Sequence, residues 1–298
     1  MSPTPTNYTQ GYSSSTTSTH ASRTAQSDAS FLLPYLHANP ASHILDIGCG
    51  PGTITTGLAA LVPQGSVTGV ELSDEILSQA QRTVDSANEG SGVKNIVLVK
   101  ADVLQGLFFS ENTFDVVFAS QLFPHLPGKE NKIKALTEMR RVLKPGGILA
   151  TRDAVELHFY PKRYGLDGLW AGNMKMVLSG GSEDSEEGGF PGGQMKGLYR
   201  SVGFSEVQVG AGTTVYSSES EKKWFVEGCV ARLSEGDTYR ESWAKATWGC
   251  NPREPGDGAV REPRRDVRVS VAGVGVKKVG TVKLELDRER GSPTSNLP

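Results

Sequence analysis

The sequence predicts an α/β protein with a doubly wound, mostly parallel sheet. Three observations carry that expectation. Residues 43–155 alternate short apolar runs with longer stretches of helical spacing. The runs are rich in Val and Ile, as strands buried on both faces are. The first run passes through a glycine loop into a helix, and the next two runs end in acids. Strand–helix–strand alternation implies right-handed crossovers, so successive strands lie parallel.

The elements are taken in order. Phe31, Leu32, Tyr35 and Leu36 share one helical face, limited by Pro34 and Pro40. Strands are expected at 43–47, 66–70, 95–100, 114–119 and 147–151, and helices at 53–61, 73–88 and 129–143. Ser73 reads as an N-cap, with Asp74 and Glu75 in the first turn, where the helix dipole favours negative charge. Lys144-Pro-Gly-Gly147 reads as a helix stop and a turn into the fifth strand. Residues 180–193 form a Gly- and acid-rich loop, and the acids from Glu183 to Glu187 are most simply solvated. A further strand is expected over 205–216, and a helix carrying Trp224, Phe225 and Val226 over 220–233.

Length and composition bound the organisation. The 298 residues allow one large domain with appendages. Hydrophobic residues make up 37%, and only the 35 glycines bring the chain into the globular range, so the core does not run its whole length. Half of residues 1–30 are Ser or Thr, so residues 1–26 are expected to be a flexible segment. The main domain is placed at 27–248 and an atypical basic tail at 249–298, with strands possible by alternation at 267–276 and 281–286. A net charge of −2 argues against a nucleic-acid partner, and no run of 18 apolar residues argues against a membrane span. Three scattered cysteines (Cys49, Cys229, Cys250) exclude a disulfide framework or a CxxC metal site, so no metal is expected. Together with the lack of a signal pattern at the N-terminus, this reads as a cytoplasmic chain.

The informative segment is Leu45-Asp-Ile-Gly-Cys-Gly-Pro-Gly-Thr53, with Gly48, Gly50 and Gly52 between a strand and a helix. Glycine lets the backbone turn sharply or a ligand approach closely, and the helix start behind it offers free N–H groups. The GxGxG spacing, with Asp46 two residues ahead, differs from the GxGxxG of dinucleotide sites. Asp46 would repel a pyrophosphate but accept hydrogen bonds from an ammonium group. Glu71 ends the second strand, where an acid accepts ribose hydroxyls, and Asp102 follows the third, placed for the exocyclic amine of adenine. The ligand implied is a nucleoside with a positively charged amino-acid arm.

With LDIGCGPGT (45–53), VTGVELSDEIL (67–77), KADV (100–103), FDVVFASQLFPHL (114–126) and MRRVLKPGGILATRDA (139–154), the chain resembles the class I S-adenosylmethionine (SAM) dependent methyltransferases. It is most similar to the UbiE-like small-molecule enzymes of fungal secondary metabolism. The five motifs stand in family order over roughly residues 27–160. The resemblance implies a Rossmann-like sheet of seven strands, its final strand left open by the atypical tail. It implies SAM as cofactor, with Asp46, Gly48, Gly50 and Gly52 at the methionine portion, Glu71 at the ribose and Asp102 with Val103 at the adenine.

Methyl transfer from a sulfonium needs alignment and a dry pocket more than it needs acid–base groups. His125, on the loop after the fourth strand, is the candidate base, with a structural loop role as the alternative. Gln121 reads as a cofactor or acceptor contact, or as a loop stabiliser. Arg23 reads either as a fork for the SAM carboxylate or as a solvated cation. Tyr8, Tyr12 and His20 would sit on an N-terminal lid or lie idle. Cys49 is expected only to pack. Arg152 and Asp153 either face the acceptor or form a surface ion pair. Residues 158–201 are expected to bound the acceptor pocket with Phe159, Tyr160, Tyr164, Leu169, Trp170, Met174 and Met176, packing being the equal alternative. The expected activity is methylation of O, N or C on a small aromatic or apolar metabolite, with biosynthetic-pathway enzymes as possible partners. The alternative is a SAM-fold protein without methyl transfer: a rearrangement or cyclisation catalyst, or a non-catalytic partner of a biosynthetic enzyme.

Overall fold

The structure is a computed structural model, and it describes residues 21–126, 128–178, 191–235 and 273–279. Its strands are β1 (His43–Ile47), β2 (Ser66–Glu71), β3 (Ile96–Lys100), β4 (Phe114–Ser120), β5 (Leu143–Tyr160), β6 (Ala211–Tyr216) and β7 (Gly273–Val279). They form one sheet in the order β3-β2-β1-β4-β5-β7-β6. The first five pair in parallel, whereas β7 runs antiparallel to both β5 and β6. The α/β, mostly parallel sheet stands as expected, but with five parallel strands; the count of seven is reached only through this antiparallel edge.

Alternation along the strands sorts their side chains onto two faces. Ile44, Val116, Phe118, Ile148 and Ala150 point to one face. There they pack against helices α1 (Ala25–Asp28), α2 (Leu33–Ala38) and α3 (Thr53–Leu61) through Ala25, Leu36 and Leu58. Leu45, Val117, Ala119 and Leu149 point to the other face and meet Leu136, Met139, Leu198 and Tyr199 of helices α5 (Gly128–Val142) and α7 (Met195–Ser201). Each fully buried leucine stabilises the fold by about 1.5–3 kcal/mol relative to an exposed one. Helix α4 (Asp74–Ser91) starts on Ser73, whose hydroxyl accepts from the Ile76 amide at 3.3 Å, and Gly92 ends it at φ +71°.

Two elements depart from expectation. The Lys144-Pro-Gly-Gly147 turn follows the end of the helix, but it lies inside β5 rather than ahead of it. Pairing with β4 resumes after it with a shifted register, Phe114 opposite Leu143 and then Val116 opposite Ile148. Gly146 at φ +77° makes the bend, and a Cβ on Gly147 would come within 2.8 Å of the Asp115 carbonyl. β5 also runs on to Tyr160, because Asp153–Tyr160 find partners in β7. That strand overlaps the expected 267–276 segment of the basic tail; the expected strand at 281–286 lies outside the described residues, as do Tyr8, Tyr12, His20 and Glu183–Glu187. Helix α6 (Leu166–Leu178) lies between β5 and α7, helix α8 (Glu219–Glu235) matches its expected position, and β6 is the second half of the expected 205–216 strand.

The reversal of strand order between β1 and β4 positions the site. Neighbouring crossovers leave that point in opposite directions and open a crevice at the carboxyl ends of the strands.

Candidate functional site

A cavity of about 570 Å³ occupies this crevice, within the range of small-ligand sites. Arg23, Asp46, Gly48, Gly50, Glu71, Asp102, Val103, Gln121 and His125 all line it. Gly52 does not line it. It caps α3 at φ +81°, and a Cβ there would press on Ala80 of α4 at 3.3 Å, so its glycine answers to backbone shape and helix packing.

The loop is tied down from behind and open in front. The Gly48 and Cys49 amides both donate to the Val70 carbonyl, at 2.8 and 3.0 Å, fastening the loop to β2. Gly48 and Gly50 have φ of +71° and +55°, and no atom lies within 4 Å of where a Gly50 Cβ would project. Cys49 is buried and packs beside Gly69; burial, then the nearby Asp46 and Glu71, keep its thiol protonated.

The three acids occupy three different environments. Asp46 is 2% exposed and accepts one hydrogen bond, from the Thr55 hydroxyl at 2.7 Å. Burial pushes its pKa up to about 7, Glu71 adds to the rise, and only the Thr55 bond opposes it. Glu71 accepts the Leu72 and Ser73 amides on Oε1, at 2.8 and 3.1 Å, and the Gly50 amide on Oε2 at 3.2 Å. A carboxylate oxygen accepts about two hydrogen bonds, so Glu71 keeps one ready position for a ribose hydroxyl. Gripping both hydroxyls requires one amide to yield. Asp102 accepts the Leu104 amide on Oδ1 at 2.8 Å, leaving Oδ2 for an amine donor.

The far wall is the turn after β4. Gln121 has φ +57°, an unusual value for a non-glycine residue, and its amide donates to the Arg152 carbonyl at 2.8 Å. His125 ends a short 3₁₀ turn, Phe123–His125. Burial, with Arg23 nearby, lowers its pKa to about 4, so it is a neutral imidazole at physiological pH. The Ser120 hydroxyl on the same wall is buried without a hydrogen-bond partner.

One residue that the sequence did not single out supports the site. Thr55, one turn into α3, holds Asp46. Arg152 is not on the surface: it forms a buried ion pair with Asp28. Asp153 is 1% exposed, and burial raises its pKa to about 7. The Phe123 amide lies close enough to oppose that rise but completes no hydrogen bond with either carboxyl oxygen. Of the described side chains of 158–201, Phe159 and Trp170 pack in a group of their own, and none lines the cavity. Phe159 meets Trp170 at 5.6 Å and Trp170 meets Phe225 at 5.8 Å, with Met174 beside them. Tyr160 and Leu169 are exposed.

A glycine cradle, acids at three successive strand ends and an unanswered hydroxyl suit a nucleoside bearing a cationic amino-acid arm. This defines an α/β nucleoside-binding protein, and SAM fits its donor and acceptor chemistry. Residues 44–147 match the methyltransferase domain family. The chain is 41% identical over 247 residues to "Probable methyltransferase ltbC" of Aspergillus luteorubrus, covering 80% of this chain and 85% of that protein. It is 32% identical over 250 residues to "Uncharacterized methyltransferase C1B3.06c" of Schizosaccharomyces pombe, covering 80% and 86%. Among solved structures, a Bacillus halodurans protein superposes with a TM-score of 0.55 at 17% identity, covering 86% of this chain and 97% of that one. The chain belongs to the class I SAM-dependent methyltransferases.

Proposed function

We propose that the chain methylates an O, N or C atom of a small, aromatic or apolar metabolite in a secondary-metabolite pathway. The cavity carries this reading: nine of the ten proposed site residues surround one space of about 570 Å³. Asp46 would hold the ammonium of SAM, Glu71 the ribose, and Asp102 with Val103 the adenine. Gly48 and Gly50 let the backbone approach the methionine arm, and Arg23 would meet its carboxylate. Bound SAM supplies an electrophilic methyl group on a sulfonium. The protein holds the acceptor atom in line with it and keeps water out.

The acceptor end is the turn from Gln121 to Leu126, where Leu122 and Leu126 offer apolar surface and His125 a neutral imidazole. That imidazole can take a proton from an acceptor hydroxyl as the methyl arrives. Among the described side chains of 158–201 none lines this cavity, so in this reading shape selection falls to this turn and to Leu104 and Gln105 opposite. Among the described residues no helix is long and apolar enough to cross a membrane. The reading places the chain in the cytoplasm beside other biosynthetic enzymes, and the fungal relatives support the metabolic role.

The test joins binding to turnover. Calorimetry should show SAM binding, and Glu71→Gln should weaken it by about 1–3 kcal/mol for a lost charged hydrogen bond. Release of S-adenosylhomocysteine should then appear with phenolic or other apolar acceptors. Absence of SAM binding would sink the assignment. Binding without turnover on any acceptor would favour the rearrangement or partner role.

A further inference from the structure

Arg23 reaches the cavity from the chain just ahead of α1, a helix of four residues. So short a helix cannot hold its place through its own hydrogen bonds. Two contacts dock it. Ala25 sits against Gly57 of α3, where an added Cβ would come within 2.8 Å of the Ala25 Cβ. At the other end, Asp28 forms a buried ion pair with Arg152, their side chains 3% and 7% exposed.

That pair lies in a continuous chain of bonds. The Thr24 and Ser27 hydroxyls cap each other's amides, both at 3.1 Å, and Ser27 donates to the Asp28 carboxylate. Asp28 holds Arg152, whose register partner in β4 is Ser120 and whose carbonyl accepts the Gln121 amide. One end of this chain is attached to Arg23, and the other begins the turn that carries His125. Both Arg23 and His125 line the cavity.

We propose that the Asp28–Arg152 pair is a latch. It fixes the Arg23 side of the cavity against the Gln121–His125 turn, so that the methionine arm and the acceptor wall meet in one geometry. Asp28 and Arg152 are positioning residues that act through Arg23 and Gln121. A buried ion pair adds little stability over a well-packed apolar pair, because desolvation offsets the attraction. What it supplies is direction: Asp28 offsets the Arg152 charge in one placement of α1. The proposal rests on the reading of Arg23 as the partner of the SAM carboxylate.

The test replaces the pair with Asp28→Leu/Arg152→Met, or with Asp28→Asn/Arg152→Gln if the apolar pair does not fold. In the native chain Arg23→Ala should weaken SAM affinity by roughly tenfold or more. In the latchless chain SAM should already bind about tenfold more weakly, and Arg23→Ala should then add less than about twofold, the non-additivity expected of coupled sites. An equal Arg23→Ala effect in both backgrounds overturns the latch. If Arg23→Ala has no effect in the native chain, the carboxylate reading fails, and hydrogen exchange decides on the latch. Amides of residues 25–32 should lose protection in the latchless chain while those of β1 and β4 keep theirs. Unchanged protection at 25–32 overturns it.

Discussion

Asp46 offers the sharpest test of the site, because its burial predicts opposite effects on stability and on binding. The perturbation is Asp46→Asn, which keeps shape and removes charge. In the folded chain the carboxyl holds its proton up to about pH 7, against an ordinary value of 3.8. At 1.36 kcal/mol per pH unit, carrying that charge without a ligand costs the fold up to about 4 kcal/mol. The folded state binds the proton more tightly than the unfolded state does. The cost is therefore absent below about pH 4, grows between about 4 and 7, and is complete above 7. Asp46→Asn should raise the denaturation midpoint of the unliganded chain at pH 8 and leave it nearly unchanged at pH 4.

Binding should move the other way. A ligand ammonium pairs only with the ionised carboxylate, and an α-amino group stays cationic below about pH 7.7. Proton competition at a pKa of about 7, set against the partial loss of the ammonium charge at pH 7.5, then weakens SAM affinity about 15-fold between pH 7.5 and pH 5.5. Asp46→Asn should weaken binding at pH 7.5 and flatten this slope. Asp153→Asn is the control: it removes the second carboxyl that titrates near 7 among the described residues, off the cavity wall, and should keep the slope. Calorimetry across pH with these three chains reads the result. An affinity independent of pH in the native chain, or an Asp46→Asn chain that is less stable at pH 8, would refute the reasoning.

His125→Gln should lower turnover by about 100-fold or more if the imidazole takes the acceptor proton, with SAM affinity unchanged in calorimetry. Because the folded His125 titrates near 4, the native rate profile should lack an inflection at the usual histidine pH of 6.5. Its stability consequence has a definite sign: the unfolded histidine takes a proton that the folded one refuses, so stability falls by up to about 3 kcal/mol as pH drops from 6.5 to 4. That loss should appear in the urea-midpoint difference between the native and His125→Gln chains across this range, because Asp46 and Asp153 favour the fold as pH falls over the same window. Gly52→Ala should cost about 1–2 kcal/mol or more for a left-handed L-residue, since φ is +81° and Ala80 stands 3.3 Å from the new Cβ. Its effect on SAM affinity should be smaller than that of Asp46→Asn, as Gly52 does not face the cavity.

The parts of the fold legible in the sequence were those set by local rules. The limits of α3 follow from an apolar period and a glycine cap, and the start of α4 from Ser73 and the two acids after it. β1, β2 and β4 end where Val- and Ile-rich runs end, because strands in the middle of the sheet need that composition; the edge strand β3 shares it while staying half-exposed. The length of β5 was not legible. Its outer half, Asp153–Tyr160, is a strand because β7 lies beside it, and the two are more than 100 residues apart in sequence. Pairing at that separation leaves no local signature. The same holds for Phe159, Trp170 and Met174. Helical spacing announces an apolar face but not whether it meets a ligand or Phe225.

The acids show where legibility stops within the site itself. Asp46, Glu71 and Asp102 look equivalent in sequence, each beside the carboxyl end of a strand, and that alone placed all three on one cavity. Their chemistry was decided by neighbours that no spacing reveals. Asp46 has one hydroxyl and almost no water-facing surface, so it meets a cation in competition with a proton. Glu71 already carries three amides, which hold its charge in place and leave it one ready acceptor position. Asp102 spends one oxygen on its own turn and keeps the other. The order of sensitivity follows from those environments: pH should act on the ligand mainly through Asp46, the loop should respond most to Glu71, and discrimination of the base should depend most on Asp102. His125 repeats the point for a cation. A histidine on a strand-end loop reads as a group poised near neutrality, but burial beside Arg23 makes it a neutral acceptor throughout the physiological range.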